Sequence, residues 1–410
     1  MTAASSLLSA LRWDKDGEEV LQNLRPDEWN TLFNLLKEKG GQQFLALRLR
    51  QTNISAPDLI NSQLRLHILG NAARNFAGKQ LLFKAIASSG RQAILLKGID
   101  LAGRVYSNLG LRSMGDIDIL AQKKDIPAFA EYFTQIGYTC SPTFDEGLFD
   151  VDDYHNLTFT KSDASTLPIE LHWRLTDEHD IDLDGIWLRS LAIDAQHKNA
   201  RVMSSEDLLV YLCLHMEHHY FDVSLTQLWD LAELITDSDT KIDWDIVRAR
   251  AEEWGATDSI NICLHLLTRN LGVTTTQFSS WKPDADLSAI MPCLLDNLGL
   301  FPDISKFAGP KLLSLLSSSS SMQERSYALF KGLFPAKAVL RATFNKQENN
   351  IILDNFLYLR FWTRLFFIKC RAFRKMKIDY RELHHQGERQ LALIRYIREK
   401  REQADGLSDT

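Results

Sequence analysis

Two aspartates spaced two residues apart carry the strongest chemical signal in this 410-residue chain. Residues 112–120 read Arg-Ser-Met-Gly-Asp-Ile-Asp-Ile-Leu, which sets Asp116 and Asp118 on either side of Ile117. In a strand, residues i and i+2 face the same way. The two carboxylates then project together, about 6–7 Å apart at the backbone, while Ile117 and Ile119 turn to the opposite, core-facing side. Aspartate is disfavoured in strands, so the pattern has little structural reason of its own. Carboxylates held side by side repel unless a cation sits between them. A hard dication such as Mg²⁺ takes oxygen ligands and keeps phosphate oxygens as its remaining ones. That arrangement suits phosphoryl or nucleotidyl transfer, although two solvated aspartates would read the same way in so short a pattern.

A third carboxylate comes from residues 168–173, Pro-Ile-Glu-Leu-His-Trp. Ile169 and Leu171 alternate with Glu170 and His172, so the latter two share a face. If this strand lies beside the aspartate strand, Glu170 reaches the same metal or serves as a base for an attacking hydroxyl. A solvated hairpin position is the alternative.

The elements that must position these groups are legible from residue 91 onward. Residues 93–96 (Ala-Ile-Leu-Leu) form a short buried strand ending at Lys97-Gly98. Ile99, Ala102, Gly103 and Tyr106 then recur at helical spacing. Residues 114–120 make the second strand. Asp125 is a candidate cap for a helix carrying Phe129, Tyr132, Phe133 and Ile136, closed by Gly137. A hairpin follows, with strands at 155–161 and 167–173 around a polar turn at 162–165. Residues 1–90 read as a helical lead-in without visible chemistry. Residues 201–270 return to helix, with Ser205 as a candidate cap and a second helix through Leu225, Leu228, Trp229 and Ala232.

Bulk properties narrow the class. The chain is 45% hydrophobic and 24% charged, an ordinary soluble composition with room for two or three domains. Its net charge of -6 excludes a general nucleic-acid binder. Residues 360–402 nevertheless hold 13 Lys/Arg against 5 Asp/Glu, a local basic excess. The five scattered cysteines include no C-x-x-C pair, which argues against a disulfide framework and for a reducing compartment. No signal peptide or membrane-spanning run is read, so a cytoplasmic location is expected. P-loop, dinucleotide-binding and serine-hydrolase motifs are missing.

Taken together, the Leu96-Lys97-Gly98 turn, the 112–120 block and the 169–173 block resemble the uncharacterised bacterial nucleotidyltransferase family of the polymerase-beta-like superfamily. His215, His219 and residues 228–231 (Leu-Trp-Asp-Leu) resemble that family's helical block. The resemblance covers roughly residues 60–270, and more weakly the C-terminal third through residues 333–335 and 357–360. It implies an α+β protein: a small mixed-sheet nucleotidyltransferase domain embedded between mainly helical segments. It further implies an NTP substrate, Mg²⁺ (or Mn²⁺), and a glycine turn whose backbone N–H groups hold phosphates. Gly98 matches that glycine. No serine follows it, however, and 17 residues separate it from Asp116. Lys97 and Arg112 are the candidate cations to complete phosphate binding.

The expected organisation is a helical region at 1–90, the α/β core at 91–200, a helical region packing on it at 201–270, and a helical C-terminal region with a basic tail at 271–410. The expected site comprises Asp116, Asp118 and Glu170 as metal-binding and catalytic carboxylates, with Lys97, Gly98 and Arg112 as the nucleotide-binding group. His172, His215 and His219 are candidates for the substrate pocket. His215 and His219 also have the i, i+4 spacing of a zinc pair, without a third ligand in view. The expected function is Mg²⁺-dependent transfer of an NMP group from an NTP to an acceptor that is a small molecule, peptide or protein. Two alternatives stand beside it: a non-catalytic ligand-binding protein using the same cleft, and an RNA-directed transferase or antitoxin-type partner. The latter draws on the aromatic, basic segment 356–377, which also reads as a docked helix or a membrane-surface helix. The acceptor, the nucleotide base and the oligomeric state are not encoded in any motif.

Overall fold

The structure is a computed structural model. It describes residues 9–290, apart from 39, 142–154, 164–165, 177–178, 180, 220, 222–223, 238 and 284, together with residues 396 and 400. The serine run at 317–321 and the basic segment 356–377 lie outside the described residues.

The chain falls into two compact units, one built from 1–141, 152–215 and 224–282, the other from 142–151, 216–223 and 283–410. In the second, Ala285–Ile290 is a short helix that buries Leu287. The first unit opens with helices α1 (Lys15–Gln22), α2 (Pro26–Glu38), α3 (Gln42–Thr52) and the 32-residue α4 (Asp58–Ser89). The sheet elements are β1 (Ala93–Leu95), β2 (Ile117–Leu120), β3 (Thr139–Ser141), β4 (Asn156–Thr160), β5 (Ile169–His172), β6 (Leu191–Ala192) and β7 (Ala200–Val202). Helix α5 (Lys97–Arg104) follows β1, α6 (Ile126–Gln135) follows β2, and α7 (Leu183–Arg189) precedes β6. Helices α8 (Ser205–His218), α9 (Leu225–Thr236), α10 (Trp244–Glu253) and α11 (Thr257–Leu271) follow, the residues of α8 from Met216 on falling in the second unit.

The seven strands lie in the order β3-β4-β5-β2-β1-β7-β6. The sheet is mixed: β2 runs parallel to β5 and antiparallel to β1, while β1 runs parallel to β7. An α+β core between helical segments, as expected, is the architecture. The predicted hairpin is β4–β5, antiparallel, with Thr158 opposite Glu170. Alternation explains it: Leu157 and Phe159 go into the core, and so do Ile169 and Leu171.

Three local expectations shift. Strand β2 begins at Ile117, not Met114. The cap of α8 is Ser204, whose hydroxyl accepts the Asp207 N–H at 3.1 Å, rather than Ser205. Asp125 does stand at the N-cap of α6, but its side chain makes no capping bond and pairs with Arg91 at 3.4 Å. Gly137 follows α6 with φ +89°, the left-handed conformation expected of a closing glycine.

Helix α4 turns out to be the scaffold of the segment leading into β2. Asn75 Nδ2 donates to the carbonyls of Leu109 and Arg112, both at 2.7 Å. Asn71 Nδ2 donates to Gly110 O at 3.2 Å and Arg74 to Met114 O at 3.1 Å. Two glycines permit this approach. A Cβ on Gly110 would lie 2.1 Å from Ile68 O, and one on Gly78 would lie 2.8 Å from Ile117 Cδ1.

Candidate active site

The site grows from one register. Asp118 on β2 lies opposite Glu170 on β5, and His172 is two residues further along the same face of β5. Strand pairing therefore brings a carboxylate against a carboxylate at the centre of the sheet, an arrangement that costs stability unless cations compensate. Asp118 is 4% exposed. Its Oδ1 accepts from Lys97 Nζ at 2.9 Å and lies 3.1 Å from His172 Nε2. Glu170 Oε2 lies 3.5 Å from the same His172 nitrogen and accepts from Asn156 Nδ2 at 3.1 Å. Asn156, on the neighbouring strand β4, escaped the sequence reading because a lone asparagine before an apolar run carries no signal.

Lys97 arrives from the elbow between β1 and α5. Its φ of +46° is a left-handed conformation that non-glycine residues adopt rarely and at a cost. The elbow is tied to the aspartate strand by the Leu96 N–H, which donates to Asp118 O at 3.0 Å. Burial pushes the Lys97 ammonium down, but Asp118, Tyr211 and Glu170 together outweigh it and hold the group above the ordinary lysine range. The mirror effect acts on Asp118: burial raises its carboxyl, and Lys97 with His172 outweigh burial and hold it well below the usual carboxylate range. For His172, burial lowers the ring nitrogen's basicity, while bonds to Asp118 and Glu170 raise it overall. The buried phenol of Tyr211, on α8, is raised first by burial, with Lys97 opposing and Asp118 adding to the rise.

Asp116 sits on the turn just before β2, exposed to solvent. Its carboxyl is pushed up to about 6, by partial desolvation first and then by the charges of Asp118 and Glu170. Asp116 therefore feels both other carboxylates, but it comes from the turn and not, as the strand reading had it, from within β2.

Arg112 is engaged elsewhere. Its Nε lies 2.9 and 3.1 Å from the two oxygens of Asp230 on α9, and Nη2 lies 2.8 Å from Oδ2. Nη1 donates to Ser113 O. Tyr106 Oη donates to Asp230 Oδ1 at 2.8 Å. The guanidinium also covers Gly98, where an added Cβ would stand 3.2 Å from its carbon. Gly98 thus makes room for a buried arginine. Asp230 is 2% exposed and bound to Arg112.

The remaining two candidates are on α8 and just beyond it, and His219 belongs to the second unit. His215 is half-buried on α8, its ring 6.2 Å from that of Tyr211 and its Nδ1 3.4 Å from Gln227 Nε2. His219 is exposed, edge-on to His218 at 5.3 Å. Among the described residues neither histidine belongs to a trio spaced to hold a metal, whereas Asp118, Glu170 and His172 do: one donor atom from each lies within 4.8 Å of the others. A dication fits this set. Three carboxylates, Asp116, Asp118 and Glu170, face one ammonium, Lys97, which leaves two negative charges to balance.

A mixed sheet with an acid turn, registered carboxylates and a helix-opening Lys-Gly elbow is consistent with a nucleotidyltransferase domain. A family described as uncharacterised nucleotidyltransferases matches residues 25–272, and the chain belongs to it. As a member, it is a transferase that uses an NTP. No curated protein and no solved structure matches the chain. No helix among the described residues is long and apolar enough to cross a membrane.

Proposed function

We propose that the chain transfers an NMP group from an NTP to a hydroxyl-bearing acceptor, with Mg²⁺ or Mn²⁺ bound at Asp116, Asp118 and Glu170. The observation that carries this reading is the register that puts Asp118 opposite Glu170, with Asp116 close enough to be raised by both. When bound, the dication neutralises triphosphate charge and favours in-line displacement at the α-phosphorus. Glu170 accepts the acceptor's proton as its oxygen bonds to that phosphorus, and the bond to the bridging oxygen breaks to release pyrophosphate. Lys97 and the N-terminal N–H groups of α5 meet the phosphates. Arg112 and Gly98 act together by holding the elbow in place. His172 and His215 remain candidate residues of the substrate pocket, while His219 belongs to the second unit.

The test is NTP-dependent pyrophosphate release in the presence of cell extract as acceptor source, with Mg²⁺ and with Mn²⁺. Asp118→Asn and Glu170→Gln should each lower the rate by about 10²-fold or more. Rates equal to wild type in both would overturn the reading. The absence of serine after Gly98 favours a second reading, ligand binding without transfer. It predicts NTP binding with no pyrophosphate release under any condition.

A further inference from the structure

We propose that His172 is itself a metal ligand through Nε2, so that the site is a mixed nitrogen–oxygen one that prefers a transition-metal dication such as Mn²⁺ to Mg²⁺. The proposal rests on the nucleotidyltransferase reading above and deepens it. Geometry comes first. Around an ion with bonds of about 2.1 Å, neighbouring ligand atoms lie about 3.0 Å apart in an octahedron and about 3.4 Å apart in a tetrahedron. His172 Nε2 stands 3.1 Å from Asp118 Oδ1 and 3.5 Å from Glu170 Oε2. Both separations match ligand edges around a single ion.

The strands hold this trio in place. Glu170 and His172 are two residues apart on β5, and Asp118 is fixed opposite Glu170 by the ladder. The imidazole is 2% exposed and the aspartate 4%, so neither swings freely into solvent. Donor chemistry then selects the ion. Mg²⁺ demands oxygen ligands and keeps its waters, whereas transition-metal dications accept imidazole nitrogen, Mn²⁺ the most weakly of the series. Charge agrees: with a neutral imidazole, the three carboxylates and Lys97 leave the two negative charges that a dication cancels. The competing arrangement puts a proton on Nε2, shared between Asp118 and Glu170. A proton and a metal at the same nitrogen are distinguishable by spectroscopy.

The experiment uses the full chain, stripped with a chelator and loaded with Mn²⁺ alone. Electron spin-echo modulation of bound Mn²⁺ should show coupling to ¹⁴N in the wild type, and His172→Gln should abolish it. Titration should show Mn²⁺ affinity reduced about 10-fold or more in His172→Gln, with Mg²⁺ affinity changed less than about threefold. The wild-type spectrum decides even if the variant folds poorly. Bound Mn²⁺ without ¹⁴N coupling, but with affinity lost in Asp118→Asn, overturns the role of His172 and leaves the carboxylate site standing. No Mn²⁺ binding by the wild type overturns both.

Discussion

Two buried charge clusters flank the same elbow, and they are built on opposite rules. Around Asp230 one carboxylate meets one guanidinium and one phenol, and both of its oxygens are bonded. Charge is balanced and hydrogen-bonding capacity is filled. Around Asp118 three carboxylates face one ammonium and a histidine, and Asp116 stands in solvent. Charge there is unbalanced, and the cluster opens outward. A closed cluster fixes geometry; an open one keeps capacity for something brought from outside. Gly98 belongs to both, since its neighbour Lys97 reaches Asp118 while Arg112 covers its own backbone.

The largest expected effect comes from opening the closed cluster. Asp230→Ala leaves the guanidinium of Arg112, only 12% exposed, without its partner, and Tyr106 without an acceptor. Breaking one side of a buried pair costs about 3–5 kcal/mol. Urea unfolding should show a loss of that size, and Mn²⁺ binding should weaken as the elbow shifts. Stability within about 1 kcal/mol of wild type would mean the cluster is not closed in the sense argued.

A smaller effect tests whether the balance extends to the cluster's rim. Glu233 lies one turn from Asp230 and accepts from Trp229 Nε1 at 3.1 Å. Its carboxyl is pushed up to about 7, by burial first and also by Asp230 and Asp237, against the lowering bond from Trp229. A folded-state value above the unfolded one means tighter proton binding in the folded protein. The contribution to stability is full below about 4.5 and is lost as pH rises through about 7. Wild-type stability should therefore fall between pH 5 and 8 relative to Glu233→Gln, by on the order of 1 kcal/mol after solvent screening. Parallel pH profiles for the two proteins would place the uncompensated charge elsewhere.

What the sequence revealed differs between the clusters for a physical reason. The open cluster was legible because strand alternation is local. Asp118, Glu170 and His172 each stand between apolar residues, and two-residue periodicity assigns their faces. The closed cluster was hidden because Arg112 and Asp230 are 118 residues apart in sequence, and nothing in either segment names the other. The start of β2 was misplaced for a related reason. The carbonyls of Arg112 and Met114 accept from Asn75 and Arg74, so the backbone there bonds to a helix's side chains, and the ladder begins only at Ile117. Those side chains sit in a helical lead-in that had shown no chemistry, since polar residues facing a backbone leave no period of their own. The parallel β2–β5 pairing, which alone brings Glu170 to Asp118, is likewise a long-range fact. Alternation could supply only the condition under which it would matter.

The smallest expected effect is the most discriminating, because its sign differs from that of an ordinary mutation. Asp116 is repelled by Asp118 and Glu170 at pH 7, and its raised value of about 6 reflects that along with partial desolvation. Asp116→Asn removes one of three like charges and introduces no buried orphan, since the position is exposed. The metal-free protein should then become more stable, by a few tenths of a kcal/mol after screening at such a site. The same change removes a metal-binding charge, so Mn²⁺ affinity should fall while thermal stability rises. Stability and binding moving in opposite directions is the signature of a site held under strain for its ligand. A structural carboxylate predicts the reverse sign for stability and no change in metal affinity. Thermal melting of chelator-treated protein, paired with Mn²⁺ titration, reads both signs from one preparation.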